Sequence, residues 1–241
     1  MKKKTLFILV GTGILVLITL AFLIVTKSGN KTNIQNAEQP SVSNPTVLPT
    51  ETENSKQNIQ SVQTNIKNIS ESPVSQQAVD KGIESISFKD AQGNKIPLTD
   101  FGKATKISII GQLRTYLDNK DYDMYYCPAD GNEKKYAIYF GYDVSKGQGN
   151  LYSGTLTWMG NWEKTMLSDL HAVLFPEVNF SKEELDQKLE FKDGKFRYAE
   201  VRLPGGKISS INYHVSLNGV IISTSPSCLD KLIEIYEPLE P

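Results

Sequence analysis

Cysteine and histidine are scarce in this chain: two of each among 241 residues, Cys127, Cys228, His171 and His214. No pair among them has the close spacing of a zinc site, so a Cys2His2 centre could be assembled only from four distant points. Arginine is nearly as rare, with Arg114, Arg197 and Arg202 the only three. Residues 80–241 carry 19 basic and 23 acidic side chains, a net charge of −4. Such a domain lacks the basic face that phosphate backbones require, which excludes a nucleic-acid partner. The P-loop, HExxH and GxSxG patterns are absent, and with them the simplest routes to nucleotide, zinc-protease and serine-hydrolase chemistry. Asp118, Asp121 and Asp123 cluster, as do Asp130 and Glu133. A calcium loop needs a glycine at its sixth position and a glutamate at its twelfth, and the Asp118 stretch has neither. Gly147-Gln148-Gly149 holds a GxG without the third glycine or the strand-to-helix setting of a dinucleotide loop. No catalytic, cofactor-binding or metal-ligating set is assigned, and the domain calls for no cofactor.

Charge is missing altogether from residues 6–25, LFILVGTGILVLITLAFLIV. As a helix this run spans roughly 30 Å, the hydrocarbon thickness of a bilayer. Lys2, Lys3 and Lys4 precede it, and only Lys27 and Lys31 follow closely. The bias predicts residues 1–4 as a cytoplasmic stub and residues 5–26 as a single-pass signal-anchor helix in the lipid bilayer, with everything beyond it outside the cell membrane. A cleaved signal peptide is the competing reading, but its apolar core is shorter and ends at small residues. Ala21 to Thr26 are mostly bulky, and no nearby cysteine offers a lipoprotein acceptor. Gly11 and Gly13 do not form the GxxxG of a helix dimer.

Aromatic residues are missing from 26–87. Ser, Thr, Asn, Gln, Pro and Glu dominate there, too little apolar surface to offset the ordering entropy. Residues 27–80 are therefore predicted as a disordered polar linker, extended locally by Pro40, Pro45 and Pro49. Ile59, Val62, Ile66 and Ile69 interrupt it at 3-4-3 spacing, the seam of a two-heptad helix. One reading is a short oligomerising stalk over 57–70. The other is a transient helix in a tether, since two heptads are few and Asn and Ser are weak helix formers. Asn30, Asn68 and Asn179 begin glycosylation sequons, which count only in a host that uses them. Ser72-Pro73 reads as the start of a short helix stopping near Gly82.

The aromatics return in residues 81–241, predicted as one extracytoplasmic α+β domain. Alternation marks strands over 83–89, 123–127, 135–144, 189–192, 196–203, 208–217 and 220–224, joined by Gly- and Asn-rich turns. Helical spacing covers 99–119, with a break near Gly102, and 151–174, where Trp158, Trp162, Met166, Leu170 and Leu174 recur every fourth residue. That tryptophan stripe could line a pocket, but it reads more simply as core. Ser181 and Glu184 make a capping box, and Ser225-Pro226 opens a final helix with Leu229, Leu232, Ile233 and Tyr236 inward. The sum is one antiparallel sheet with packed helices.

Cys127 and Cys228 form a permitted disulfide outside the cytoplasm, or else stay two buried thiols. Cys228 also sits where a helix dipole lowers a thiol pKa, and His171 or His214 could serve it as base. Trp162-Glu-Lys-Thr-Met166-Leu-Ser-Asp169-Leu170, then Phe191-Lys-Asp193, then Val220-Ile-Ile222-Ser-Thr224-Ser resembles the C-terminal domain of uncharacterised single-pass bacterial envelope proteins, over most of 97–237. The resemblance implies placement and carries no activity or site residues. The leading expectation is thus a membrane-tethered, non-enzymatic binding or scaffolding domain for an unknown envelope protein or polymer. A thiol-dependent enzyme or hydrolase built on Cys228 or the carboxylates around Asp121, and an oligomeric stalk protein, are the alternatives.

Overall fold

Residues 52–130, 133–146 and 151–237 are described by the structure, a computed structural model. The expected stub and anchor, the first half of the tether and the Gly147–Gly149 stretch lie outside these residues. Among the described residues no helix is long and apolar enough to cross a membrane.

Seven strands form one sheet: β1 (Glu84–Ile86), β2 (Leu117–Pro128), β3 (Lys134–Tyr142), β4 (Lys192–Asp193), β5 (Arg197–Arg202), β6 (Ile208–Val215) and β7 (Gly219–Ser223). They lie in the order β1-β2-β3-β7-β6-β5-β4, every neighbour antiparallel. The domain is therefore α+β, with a single antiparallel sheet and helices packed on it. Side chains alternate across a strand, so each one feeds both faces. Tyr136, Ile138, Phe140 and Tyr142 of β3 enter the main core, while Ala137 and Tyr139 enter a second, smaller one.

The main core is roofed by α1 (Glu53–Glu71), α3 (Leu98–Thr105), α5 (Leu151–Trp162) and α6 (Met166–Leu174); the short α2 (Gln76–Lys81), α4 (Gly111–Arg114) and α7 (Lys182–Leu185) bridge between elements. Trp162 is fully buried at its centre. Withdrawing an indole of roughly 200 Å2 from water is worth about 5 kcal/mol as an upper figure. Among the described residues the other face is covered chiefly by α8 (Pro226–Tyr236), with Leu229 and Leu232 against Tyr125, Ala137, Tyr139 and Ile221 and with Ile83 and Phe196 at the margins. Ser225 caps α8 by accepting from the Cys228 N–H, and Pro226 occupies its first turn. Ser181 and Glu184 complete their reciprocal capping box.

Five expectations are corrected. The disordered linker does not extend to residue 80, because α1 and α2 occupy 53–81. Val62 of α1 is fully buried, and Ile59, Ile66 and Ile69 pack on the main core beside it. The predicted stalk seam is spent on the chain's own domain. Polar contacts fix the docking: Ser55 Oγ and Asn58 Nδ2 donate to Asp100 at 2.7 and 2.9 Å. At the other end the buried Lys134 donates to the carbonyls of Ile69 and Ser72, capping the helix C-terminus. Ser72-Pro73 consequently follows a helix; the N-cap of α2 is Ser75.

The helix expected over 99–119 stops at Thr105, where Lys106 turns left-handed at φ 59°. Leu113 sits in the one-turn α4 and Leu117 already begins β2, so two residues on the predicted helical stripe reach the core from different elements. Likewise 151–174 is two helices. Asp169 accepts from Trp162 Nε1 at 2.8 Å and Thr165 Oγ1 at 2.7 Å, which pins the intervening turn. That turn directs Glu163 to Arg197 Nε at 2.8 Å and the Tyr213 hydroxyl at 2.7 Å, tying the helical layer to β5 and β6.

A candidate ligand groove on the half-covered sheet face

The second face of the sheet is only half covered. α8 lies over β3, β7 and the His214 end of β6, is tied to β2 through Cys127, and leaves β5 and the Ile208–Ser210 end of β6 open. In these two strands Ala199, Val201, Ile211, Tyr213 and Val215 are buried. The alternate positions face outward and pair directly across the ladder: Tyr198 opposite Asn212, Glu200 opposite Ser210. Directly opposed side chains stand about 5 Å apart, so these four form one continuous floor. Phe196 and the start of α8, Ser225 and Pro226, help to wall a groove of about 530 Å3. Ile208 at its margin is 62% exposed. That volume lies in the range of small-molecule sites.

The charges along this groove are mostly answered from within. Lys135 pairs with Glu133 at 3.0 Å, and Lys195 pairs with Asp230 at 2.7 Å while lying over the Phe196 ring. Hydrogen bonding from Lys207, more than burial opposes it, holds the Glu133 carboxyl below its ordinary range. Glu200 has no side-chain partner among the described residues. Asn212, 2% exposed, donates from Nδ2 to Ser210 Oγ at 2.8 Å and to the Ser223 carbonyl at 3.3 Å. Its Oδ1 accepts from no described residue. The floor thus presents an acceptor amide oxygen, a free carboxylate, a hydroxyl and a half-buried tyrosine.

A second cluster gathers at the far end of α8. The Tyr236 ring stacks on Tyr139 at 3.6 Å between centroids, and its hydroxyl meets that of Tyr125 at 2.6 Å. Tyr236 also donates to Asp123 at 3.4 Å, and Asp123 holds Lys95 at 2.6 Å. Burial, ahead of the neighbouring carboxylates, pushes the Tyr139 and Tyr236 hydroxyls far above their usual range, so they remain donors. Asp121 lies 3.5 Å from the Tyr139 hydroxyl. A Cβ on Gly141 would fall 1.8 Å from its Oδ2, so only glycine leaves room for that carboxylate. Burial chiefly raises the Asp121 pKa, with Lys95 opposing and Asp118 and Asp123 assisting. Asp118 itself accepts from the Lys120 and Asp121 N–H groups at 2.6 and 3.0 Å, at the register shift in β2. The acids around Asp121 therefore fasten a bulge, a lysine and the end of a helix.

Cys127 and Cys228, for which two readings stood open, are disulfide-bonded with Cα atoms 5.7 Å apart. Cys228 consequently offers no thiolate, which removes the nucleophile of the thiol-enzyme alternative. His171 bonds the Ser168 carbonyl through Nδ1, and His214 faces Glu237 at 3.2 Å. Among the described residues no group of three or more His, Cys, Asp or Glu is placed to hold a metal ion. Trp162 is core, whereas Trp158 is half-buried and stacks on Tyr116 at 4.6 Å. No groove residue figured among the sequence candidates. The available signal was the polar run of outward positions on β5 and β6, where a covered face would alternate to apolar side chains. Compared with protein-family models, curated proteins and solved structures, the chain matches none.

Proposed function

We propose that this chain is a membrane-tethered extracytoplasmic binding domain that engages an envelope partner through the β5–β6 groove. The groove carries the reading: a partly uncovered half-sheet whose floor presents an amide oxygen and a carboxylate with no described partner. Accessible polar groups converging beside a half-buried tyrosine are what fixes the orientation of a ligand in such a groove. Tethering is supported by the uncharged run 6–25 and its lysine flank. Placement outside the cytoplasm is supported by the disulfide, which persists in oxidising compartments and is rare where glutathione keeps thiols reduced. The thiol-dependent alternative loses its nucleophile, since Cys228 is covalently bound to Cys127.

The test is site-specific photocrosslinking in cells producing the full-length chain. A benzophenone amino acid at position 198 should give a discrete adduct in the membrane fraction, and one at the exposed position 157 should give none. Equal labelling at both positions, or no adduct at 198, sinks the groove as a binding site. Externally added protease should digest residues 81–241 in intact spheroplasts, and protection of that region would refute the placement.

A further inference from the structure

We infer that the groove takes a neutral, polyhydroxylated chain, a pyranose glycan segment, laid along the β5–β6 ladder. This inference rests on the groove being a binding site and adds the chemical class of its occupant. Charge is the first argument. Lys195 is bound to Asp230, Lys135 and Lys207 share Glu133, and with the exposed Glu200 carboxylate the charges at and beside the groove cancel. A groove whose charges cancel offers neither a polyanion nor a polycation the complementary field that would favour it.

The second argument concerns peptides. An extended peptide binds most readily by adding a strand at a sheet edge, where backbone groups are free. The outer edge of β5 is closed at both ends. β4 pairs with Arg197 and Tyr198, and at Arg202 the Gln187 side chain imitates a neighbouring strand. Gln187 Oε1 accepts from the Arg202 N–H at 2.9 Å, and its Nε2 donates to the Arg202 carbonyl at 3.1 Å. What stays open is the face of the ladder, not its edge.

That face has the two kinds of group a pyranose needs. A sugar ring presents an apolar C–H face, which suits the electron-rich face of Tyr198, and a rim of hydroxyls that both donate and accept. Glu200 and Asn212 Oδ1 accept from such hydroxyls, and the Ser210 hydroxyl lies between them on the floor. Asn212 is locked by its two donated hydrogen bonds, so its acceptor is preorganised and little side-chain entropy is lost on binding.

The probe is cellotetraose, titrated into the full-length chain in nanodiscs and followed by saturation-transfer NMR and calorimetry, with tetralysine and poly-L-glutamate as charged comparators. Cellotetraose should bind with saturation concentrated on ring C–H protons, and its affinity should barely change between 50 and 500 mM salt. Tyr198→Ala should weaken it about tenfold, and Glu200→Gln, which keeps shape and fold, should weaken it severalfold. Thr157→Ala should leave it unchanged. An inert cellotetraose, parental affinity retained in both E200Q and Y198A, or a salt-sensitive preference for either charged probe overturns the inference. Failure here with the crosslink at position 198 intact removes the glycan and leaves the binding site. Loss of both removes the site itself.

Discussion

Asp121 shows how a single side chain couples pH to the fold. The residue is exposed overall, but its carboxylate lies against Gly141 and the Tyr139 hydroxyl, and partial desolvation there raises its pKa above the ordinary 3.8. The folded chain therefore holds this proton more tightly than the unfolded one does. Its stabilising contribution is complete below pH 3.8 and is lost as pH rises through the folded pKa. Asp121→Asn removes the ionisation and keeps the volume. Its thermal midpoint should exceed that of the parent at pH 7, with the advantage vanishing near pH 3; a pH-independent difference would show that burial of charge is not the cause. At this scale the sequence was legible where chemistry is local. Ser225 and Ser181 announce their caps, and Gly82 announces its left-handed φ of 69°. It was illegible where partners are remote, as with Lys134 meeting carbonyls 62 and 65 residues away.

Among the elements, α1 departs furthest from expectation. Its composition is that of a tether, and its only fully buried side chain is Val62. Helix propensity alone would leave it marginal, so docking on α3 and the Lys134 cap must hold it. Val62→Asp places a charge in that contact. Amide hydrogen exchange over 53–71 should accelerate by at least about a hundredfold, roughly 2.7 kcal/mol, while β3 and β7 keep their protection. Loss of protection throughout would mean that α1 is integral to the core and not a docked strap. The strands and α8 were legible because alternation and turn residues are short-range signals. The stripe from Ile107 to Leu117 misled because apolar residues at helical spacing can reach one core from a helix, a loop and a strand. The groove was invisible for a related reason: it is made beside the start of α8, and nothing in β5 or β6 says how much of them a helix from elsewhere in the sequence will cover.

For the whole molecule the Cys127–Cys228 bond matters most. It joins β2 to the first turn of α8 across a sequence separation of 101. Closing a loop of that length stabilises by about 4–5 kcal/mol in the chain-entropy picture. A Cys127→Ser, Cys228→Ser chain should lose about that much in denaturant unfolding, and the loss should match that caused by reducing the parent. A double variant as stable as the oxidised parent would refute the assignment. Under the proposed tethering, which would hold the chain by one end, the same bond has a mechanical meaning. Tension entering through the N-terminal segment can peel α1 and then draw on β1 and β2, but at Cys127 the load crosses sulfur to Cys228. The intervening span, roughly 350 Å if pulled straight, is bypassed. Six strands and the groove lie wholly or partly inside that shielded loop, so a tug on the leash can shed the strap without spooling out the part that binds.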